Sequence, residues 1–202
     1  MKPCALSMQI ATVLPTLQGW CTLEKALALA DAVLELKPDI VVELGVFGGS
    51  SLIPMALACK QLGRGTVVGV DPWSKSASVE GYDAANAEWW GKLDHDAIMQ
   101  GFLDAIAKLE LTQRVVVKRL KSDDFPPPTV IDLLHIDAQH TDQAVRDVER
   151  FVPHVRKSGL VCVDDIEWSG GGVRRAVDLL LTMGFVQLYP IGTGAMFKRV
   201  KK

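Results

Sequence analysis

The sequence predicts a three-layer α/β domain with about seven strands, mostly parallel and with an antiparallel edge. Short apolar runs alternate with segments of helical periodicity along most of the chain. Such alternation is typical of a parallel sheet that is covered by helices on both faces. The last two apolar runs are separated by "PIGTG", which is too short for a crossover helix, so this pair is expected to be antiparallel.

The chain is expected to be a single domain over residues 1–202, opening with a helical segment at residues 1–37. A helix is predicted after Thr22, which is placed as its N-cap, because apolar residues then recur at the spacing of one helix face. These apolar positions are Leu23, Ala26, Leu27, Ala30 and Leu34.

Two buried strands and an insertion follow. "DIVVEL" and "TVVGV" are short and nearly all apolar, as expected for strands covered on both faces, and "SSLIPMALACKQL" is predicted as the helix between them. Residues 72–92 break the alternation because they hold Trp73, Tyr82, Trp89 and Trp90 among small polar residues. We interpret this insertion as a lid over a binding site, with a dimer contact or a small satellite core as the alternatives.

The second half of the chain repeats the alternation. A helix is predicted after about residue 92, with Ile98, Phe102, Ala105, Ile106 and Leu109 on one face, and further helices are predicted at residues 143–152 and 173–183 from their apolar periodicity. Strands are predicted at "RVVVKRL", "VIDLLHID", "GLVCVDD", "FVQLY" and "AMFKRV". The sheet therefore reaches about seven strands.

Composition excludes several classes of partner. The formal net charge is −2, so a nucleic acid or an anionic membrane surface is not expected as a partner, and no apolar run reaches the roughly 20 residues that span a bilayer. The four cysteines, at positions 4, 21, 59 and 162, are scattered without zinc-like spacing, which indicates a reducing, cytoplasmic setting. A homo-oligomer stays open.

The strand ends carry the first functional signal. "VVELGVFGGSS" places Glu43 before a glycine-rich turn that includes Gly45 and Gly49, and glycines allow close backbone approach to a ligand ahead of a helix N-terminus. Asp71 ends the next strand, where a carboxylate can accept the hydroxyls of a ribose. Together these features predict a nucleoside-like ligand. The spacing is not G-x-G-x-x-G, which argues against a dinucleotide.

Acidic residues end two further strands. "LLHIDAQH" ends with Asp137 and His140, and "LVCVDDIEW" ends with Asp164 and Asp165. If the first, fourth and fifth strands are neighbours, the three aspartates converge beside the glycine turn and repel one another unless a cation neutralises them. Oxygen ligands favour a hard ion, Mg²⁺ first, with Ca²⁺ or Mn²⁺ as alternatives. The competing interpretation is that these acids are caps or solvated turn residues.

With these motifs the chain resembles class I S-adenosylmethionine-dependent methyltransferases. It is most similar to the bacterial metal-dependent small-molecule O-methyltransferases, a group that includes macrolide and sugar O-methyltransferases and cephalosporin-hydroxylase-like proteins, and more distantly to catechol O-methyltransferase. The resemblance is carried by "VVELGVFGGSS", "VVGVDPW", "LLHIDAQHTDQAVRDVERF" and "GLVCVDDIEW", within residues 23–168. It implies a Rossmann-like methyltransferase fold.

The resemblance also implies site residues. Glu43, Gly45 and Ser51 would hold the methionine moiety of the cofactor, Asp71 its ribose, and two residues after the third strand would lie near adenine. The implied cofactor-binding residues are Glu43, Gly45, Phe47, Gly49, Ser51, Asp71, Ser122, Asp123 and Asp137. The implied metal ligands are Asp137, Asp164 and Asp165.

The expected reaction is methyl transfer from S-adenosylmethionine to a hydroxyl of a small-molecule acceptor, with transfer to nitrogen left open. The implied catalytic residues are Asp137, on the metal, and His140, as proton acceptor. The catechol type has Asp-Asn where this chain has Asp164 and Asp165, and a lysine where it has His140. His140 acting only as a helix cap is the alternative. Rival functions are an NAD(P)-dependent oxidoreductase and a non-catalytic S-adenosylmethionine-binding protein.

Overall fold

The computed structural model describes residues 5–200, so Cys4 and the start of the predicted N-terminal segment lie outside the described residues. The strands are β1 (Ile40–Leu44), β2 (Thr66–Asp71), β3 (Val115–Arg119), β4 (Ile131–Ile136), β5 (Val155–Val163), β6 (Phe185–Ile191) and β7 (Gly194–Arg199). The helices are α1 (Ala5–Val13), α2 (Leu23–Leu36), α3 (Leu52–Leu62), α4 (Lys75–Ser78), α5 (Ala84–Trp90), α6 (His95–Lys108), α7 (Gln143–Phe151) and α8 (Gly172–Thr182).

The seven strands form one sheet in the order β3-β2-β1-β4-β5-β7-β6. The first five strands of that order are parallel, and β7 is antiparallel to both β5 and β6. The connection of β6 to β7 is a two-residue turn, Gly192 and Thr193, which can only form a hairpin. The single reversed strand therefore lies second from the edge, and the predicted fold class is confirmed.

Helices cover the sheet on both faces. One apolar cluster joins the sheet to α1, α2, α3 and α6, and a second cluster joins the opposite face to α7 and α8. The central strands are buried on both sides because β1, β2 and β4 consist almost entirely of apolar residues. Two of the polar exceptions in these strands, Glu43 and His135, are fully buried and lie next to the site described below.

Helix α2 begins where the sequence predicts, but its buried face is rotated from the predicted one. The Thr22 hydroxyl accepts the backbone N–H of Lys25 at 3.2 Å, which is the expected N-cap contact. Leu23 is 43% exposed, whereas Lys25 is 4% exposed and lies on the same helix face as the fully buried Leu29. The apolar pattern predicted the wrong buried face because a charged residue, Lys25, occupies an inward-facing position.

Backbone hydrogen bonds align the residues that follow β1, β4 and β5. The N–H of Gly45 donates to Val70 (2.9 Å), that of Asp137 donates to Leu44 (2.9 Å), and that of Asp164 donates to Ile136 (3.0 Å). The parallel ladder thus continues one residue past the strands, and it fixes the strand-end residues side by side.

The insertion at residues 72–92 contains the short helices α4 and α5. Trp73 belongs to the core and not to a lid: it is 1% exposed, stacks on Phe102 at 5.8 Å, and donates its indole N–H to the Phe47 carbonyl at 2.8 Å. Over residues 5–200, no helix combines the length and the apolar character needed to cross a membrane.

Candidate active site

A cavity of about 520 Å³ lies beyond the carboxyl ends of the central strands, where open α/β sheets bind ligands. Its size is within the range of about 300–1,000 Å³ that small-molecule sites occupy. The predicted site residues that line it are Gly45, Phe47, Ser51, Asp71, Ser122, Asp123, Asp137, His140, Asp164 and Asp165. Glu43 and Gly49 are not among the lining residues.

The glycine turn brings β1 against the residues that follow β4. Gly45 has φ +84°, and a Cβ there would lie 2.2 Å from the Asp137 carbonyl oxygen. Gly49 has φ +82°, and a Cβ there would lie 2.4 Å from the Phe102 ring. Gly45 is therefore required at the cavity floor, whereas Gly49 is required by packing against α6.

Glu43 lies fully buried behind this turn. Its Oε1 accepts the Ser51 hydroxyl and lies 3.3 Å from His135 Nδ1, and within residues 5–200 its Oε2 has no hydrogen-bond partner. The Glu43 side chain therefore holds Ser51 at the start of α3. Its contact with a cofactor stays a prediction.

Asp71 organises the turn as well as facing the cavity. Its Oδ2 accepts the backbone N–H groups of Val46 (2.9 Å) and Phe47 (3.0 Å), and its Oδ1 accepts that of Trp73 (2.7 Å). A carboxylate offers about four acceptor positions, so about one remains for a ligand hydroxyl.

A polar network lies at the end of the cavity formed after β3. The Gln143 amide nitrogen lies within hydrogen-bond distance of Ser122 (3.0 Å), Asp123 (3.1 Å) and Asp147 (3.0 Å) and shares its two hydrogens among them. Asp147 is fully buried, and burial raises its pKa to about 6. This network fixes the two residues that the resemblance places near adenine.

Lys25 lies under the acidic strand ends, although no sequence motif marks it as part of a site. Its Nζ contacts Asp164 Oδ2 and lies 3.3 Å from Asp137 Oδ2. Burial favours the neutral amine, but the charges of the two aspartates outweigh it and raise the pKa of Lys25. Burial would also raise the pKa of Asp164, but the Lys25 ammonium lowers it below its usual range. Lys25 and Asp164 therefore form a charged, buried pair, whereas burial outweighs the charge of Lys25 at Asp137 and raises the pKa of that carboxyl to about 8.

The arrangement does not fit a divalent cation held by all three predicted ligands. Potential ligand atoms lie within 4.8 Å of one another in two sets, one of Asp137, His140 and Asp165 and the other of His135, Asp137 and Asp164. Within residues 5–200 neither set contains the three aspartates together. The Lys25 ammonium already lies against Asp137 and Asp164. Binding of a divalent ion therefore stays a prediction from the sequence.

His140 is held between polar and aromatic partners. Its Nε2 lies 3.1 Å from Asp165 Oδ2, its Nδ1 lies 3.2 Å from the Tyr82 hydroxyl, and its ring stacks on Trp168 at 4.5 Å. Its ring nitrogens face these partners and not the start of α7, which argues against the helix-cap alternative. The contact with His140 lowers the pKa of Asp165.

Aromatic side chains from three segments surround the entrance and form what we call the aromatic mouth: Trp20, Phe47, Tyr82, Trp89 and Trp90. Trp20 is 65% exposed and Trp89 is 47% exposed, and their ring centroids lie 5.7 Å apart. Trp20, before α2, was missed by sequence reasoning because no periodicity or motif marks a lone tryptophan. The inward-facing position of Lys25 could have been predicted from the sequence, because Lys25 shares the helical spacing of Leu29 and Ala32 on α2.

Comparison with known proteins agrees with the class that the fold and cavity define, a class I methyltransferase. The profile of a family described as "Methyltransferase domain" matches residues 42–166. The chain therefore belongs to the methyltransferase-domain family. No curated protein sequence matches it.

Solved structures of similar fold cover nearly the whole chain. An O-methyltransferase from Bacillus cereus in complex with S-adenosylhomocysteine (SAH) aligns at a TM-score of 0.63 and 17% identity, covering 100% of this chain and 93% of the other. TomG, an O-methyltransferase from Streptomyces achromogenes involved in tomaymycin synthesis and solved with S-adenosylmethionine (SAM), aligns at 0.62 and 14%, covering 100% and 92%. The SAH-bound methyltransferase PaMTH1 from Podospora anserina aligns at 0.69 and 12%, covering 99% and 89%. These matches confirm the Rossmann-like methyltransferase fold.

Proposed function

We propose that the protein transfers a methyl group from S-adenosylmethionine to a hydroxyl of a small molecule. The observation that carries the proposal is that His140, paired with Asp165, faces the same cavity as the glycine turn and Asp71. The residues that we assign to the nucleoside and the residue that we assign to proton transfer thus line one cavity. The ligands named for similar structures, SAH and SAM, support this donor.

The residues at the strand ends fit the proposed donor. The backbone of Gly45 and the hydroxyl of Ser51 would meet its methionine end, and the remaining acceptor position of Asp71 would take a ribose hydroxyl. Ser122 and Asp123, fixed by Gln143, would border adenine. When bound, the donor supplies a methyl group on a positively charged sulfonium. Transfer of the methyl group releases the neutral thioether SAH, which is a good leaving group.

The protein's own contribution is orientation and proton transfer. With its Nε2 3.1 Å from Asp165, His140 would accept the acceptor's proton at Nδ1, where the acceptor hydroxyl would replace the Tyr82 hydroxyl that lies 3.2 Å away. Stacking on Trp168 holds the ring plane. Because much of the cavity wall is apolar and aromatic, it would exclude water from the reacting pair.

We further propose that α5 and its flanks act as the lid, since Tyr82, Trp89 and Trp90 all belong to the aromatic mouth. In this arrangement Tyr82 connects the lid to His140, so lid position and proton acceptor are coupled. A cytoplasmic location stays a prediction from the sequence.

The test is formation of SAH from SAM with a panel of phenols, sugars and amino sugars, together with calorimetric binding of SAH. We expect turnover with a hydroxyl acceptor, and a loss of about 10²–10⁴-fold in His140→Ala without loss of SAH binding. His154→Ala, in a histidine away from the cavity, is the matched control.

Two outcomes would favour the rival functions. Binding of NADPH without binding of SAH would indicate an oxidoreductase, although the glycine spacing argues against it. Binding of SAH without turnover on any acceptor would indicate a non-catalytic SAM-binding protein.

A further inference from the structure

Lys25 is a buried lysine with a specific pair of partners. It is 4% exposed, its ammonium contacts Asp164, and it lies 3.3 Å from Asp137. A buried ammonium is costly unless it is paired and hydrogen-bonded, so its presence under the cavity needs an explanation. The proposed reaction does not by itself require a lysine there.

We propose that Lys25 is a built-in counter-cation, whose ammonium takes the place between Asp137 and Asp164 that a divalent metal would otherwise hold. The two carboxylates are then oriented and partly neutralised by the protein itself. Lys25 lies beneath the cavity lining and acts through the aspartates, so it is a positioning residue and not a catalytic one.

The contacts of Asp164 support this role. One carboxylate oxygen meets the Lys25 ammonium, and the other accepts the Thr193 hydroxyl at 3.0 Å. Both oxygens of this predicted metal ligand are therefore engaged by side chains from α2 and from the β6–β7 turn. A metal at Asp164 would have to share an oxygen with one of these buried donors, next to the Lys25 ammonium.

The charge balance gives the same result. Asp137, Asp164 and Asp165 are three acids at adjoining strand ends, and such a group takes up a proton or needs cations nearby. Lys25 places one positive charge against the first two. A divalent ion between Asp137 and Asp164 would stand beside the buried ammonium and be repelled by it.

The Lys25 ammonium cannot reach solvent unless α2 itself moves. Its backbone N–H bonds the Thr22 cap, which fixes it in the first helical turn. The same helix face packs into the core through Leu29 and Val33. Expelling the ammonium would therefore disturb the packing of α2.

The direct test is Mn²⁺ binding, measured by electron paramagnetic resonance on the wild-type protein, Lys25→Met, Asp164→Asn and Lys60→Met. Mn²⁺ represents the hard cations that oxygen ligands select. We expect wild type and Asp164→Asn to share the same weak background, and Lys25→Met to bind Mn²⁺ at least ten-fold tighter and to melt at a higher temperature when Mn²⁺ is added. Lys60→Met removes an exposed lysine paired with Glu110 and should behave as wild type.

Two results would overturn the proposal. One is tight Mn²⁺ binding by the wild type that Asp164→Asn abolishes, since the metal would then displace Lys25. The other is a folded Lys25→Met with wild-type Mn²⁺ affinity. If Lys25→Met does not fold without a cation, Lys25→Met/Asp164→Asn removes one charge of each sign and should fold; if neither variant folds, the comparison of wild type with Asp164→Asn decides.

A second measurement rests on the proposed methyl transfer. Wild-type turnover should be unchanged after chelation with EDTA, and a ten-fold or greater loss that Mg²⁺ restores would contradict the role of Lys25. Absence of any turnover would count against the proposed function, but it would leave the Mn²⁺ result standing.

Discussion

Gly45 shows how a single missing side chain shapes the cavity floor. Its positive φ and the 2.2 Å that would separate an added Cβ from the Asp137 carbonyl oxygen are two separate constraints. Gly63 shares only the first: it has φ +69°, and nothing lies within 4 Å of the position of a Cβ. The two glycines therefore allow backbone strain and steric contact to be separated.

Gly45→Ala should destabilise the protein more than Gly63→Ala does. An alanine at positive φ costs about 1 kcal/mol at either position, and at Gly45 the clash with backbone forces β1 and the end of β4 apart, for a total of about 3 kcal/mol or more. Urea unfolding gives both values, and SAH binding should be lost only in Gly45→Ala. Equal destabilisation in the two variants would mean that the backbone shifts to remove the contact with the Asp137 carbonyl oxygen at little cost in stability.

Asp147 predicts a pH dependence of stability. Its pKa is raised from 3.8 to about 6 in the folded protein, so the unfolded chain ionises first as the pH rises. The folded state therefore loses stability between pH 4 and 6, by roughly 3 kcal/mol in total, and above pH 6 this loss is constant. Asp147→Asn cannot ionise, so it should gain stability relative to wild type across that window.

The measurement is urea unfolding of both proteins at pH 4, 5, 6 and 7. Asp178→Asn, at an exposed position of α8, controls for the amide substitution. A difference between wild type and Asp147→Asn that stays constant from pH 4 to 7 would mean that Asp147 is not held neutral by burial.

At the scale of elements, the sequence predicted strands better than helix faces. β1, β2 and β4 are recognisable because strands buried on both sides are apolar throughout. The face of α2 was misassigned because Lys25 turns inward to reach partners that follow β4 and β5, more than 100 residues away in the chain. Local periodicity contains no information about such a long-range pair.

The insertion gives an element-scale prediction through two helix caps of the same type. Asp83 caps α5 by accepting the N–H of Asn86 at 3.0 Å, and Asp94 caps α6 by accepting that of Ala97 at 2.9 Å. Helix α6 packs into the core through Phe102, whereas α5 has no buried residue and carries two tryptophans of the aromatic mouth.

Asp83→Ala should loosen α5 without a measurable change in global stability, because α5 contributes nothing to the buried core. Amide hydrogen exchange at residues 84–90 should accelerate, and turnover should fall if α5 is the lid. Asp94→Ala should cost about 1 kcal/mol of global stability and leave exchange at α5 unchanged. Unaltered exchange at residues 84–90 in Asp83→Ala would show that contacts of the aromatic mouth, and not the cap, hold α5.

At the scale of the whole molecule, the strand order makes the site. Asp71, Asp137 and Asp164 are separated by up to 93 positions of sequence, yet the order β2-β1-β4-β5 places them at one edge. From the neighbouring positions of the first, fourth and fifth strands, the sequence predicted that Asp137, Asp164 and Asp165 would converge, and the structure places Asp137 and Asp164 side by side but gives no ligand set that contains all three within residues 5–200. The sequence could not predict that the cation beside Asp137 and Asp164 is Lys25, because that depends on how α2 packs against the sheet.

Because the cavity is assembled from segments so distant in the chain, its ligand should bind the folded state and not the unfolded one. Binding then stabilises the fold by about 2.7 kcal/mol at a ligand concentration 100 times Kd. For a domain of about 200 residues this corresponds to a rise in Tm of roughly 5–10 °C.

Differential scanning calorimetry with SAH should show this rise, and Asp71→Ala should reduce it because both the turn and the ribose contact depend on that carboxylate. NADPH at the same concentration should leave Tm unchanged. Amide exchange should slow at the ends of β1, β2 and β4 when SAH binds, whereas β6, at the far edge of the sheet, should exchange as before. A Tm that rises with NADPH and not with SAH would contradict both the nucleoside assignment and the proposed methyl transfer.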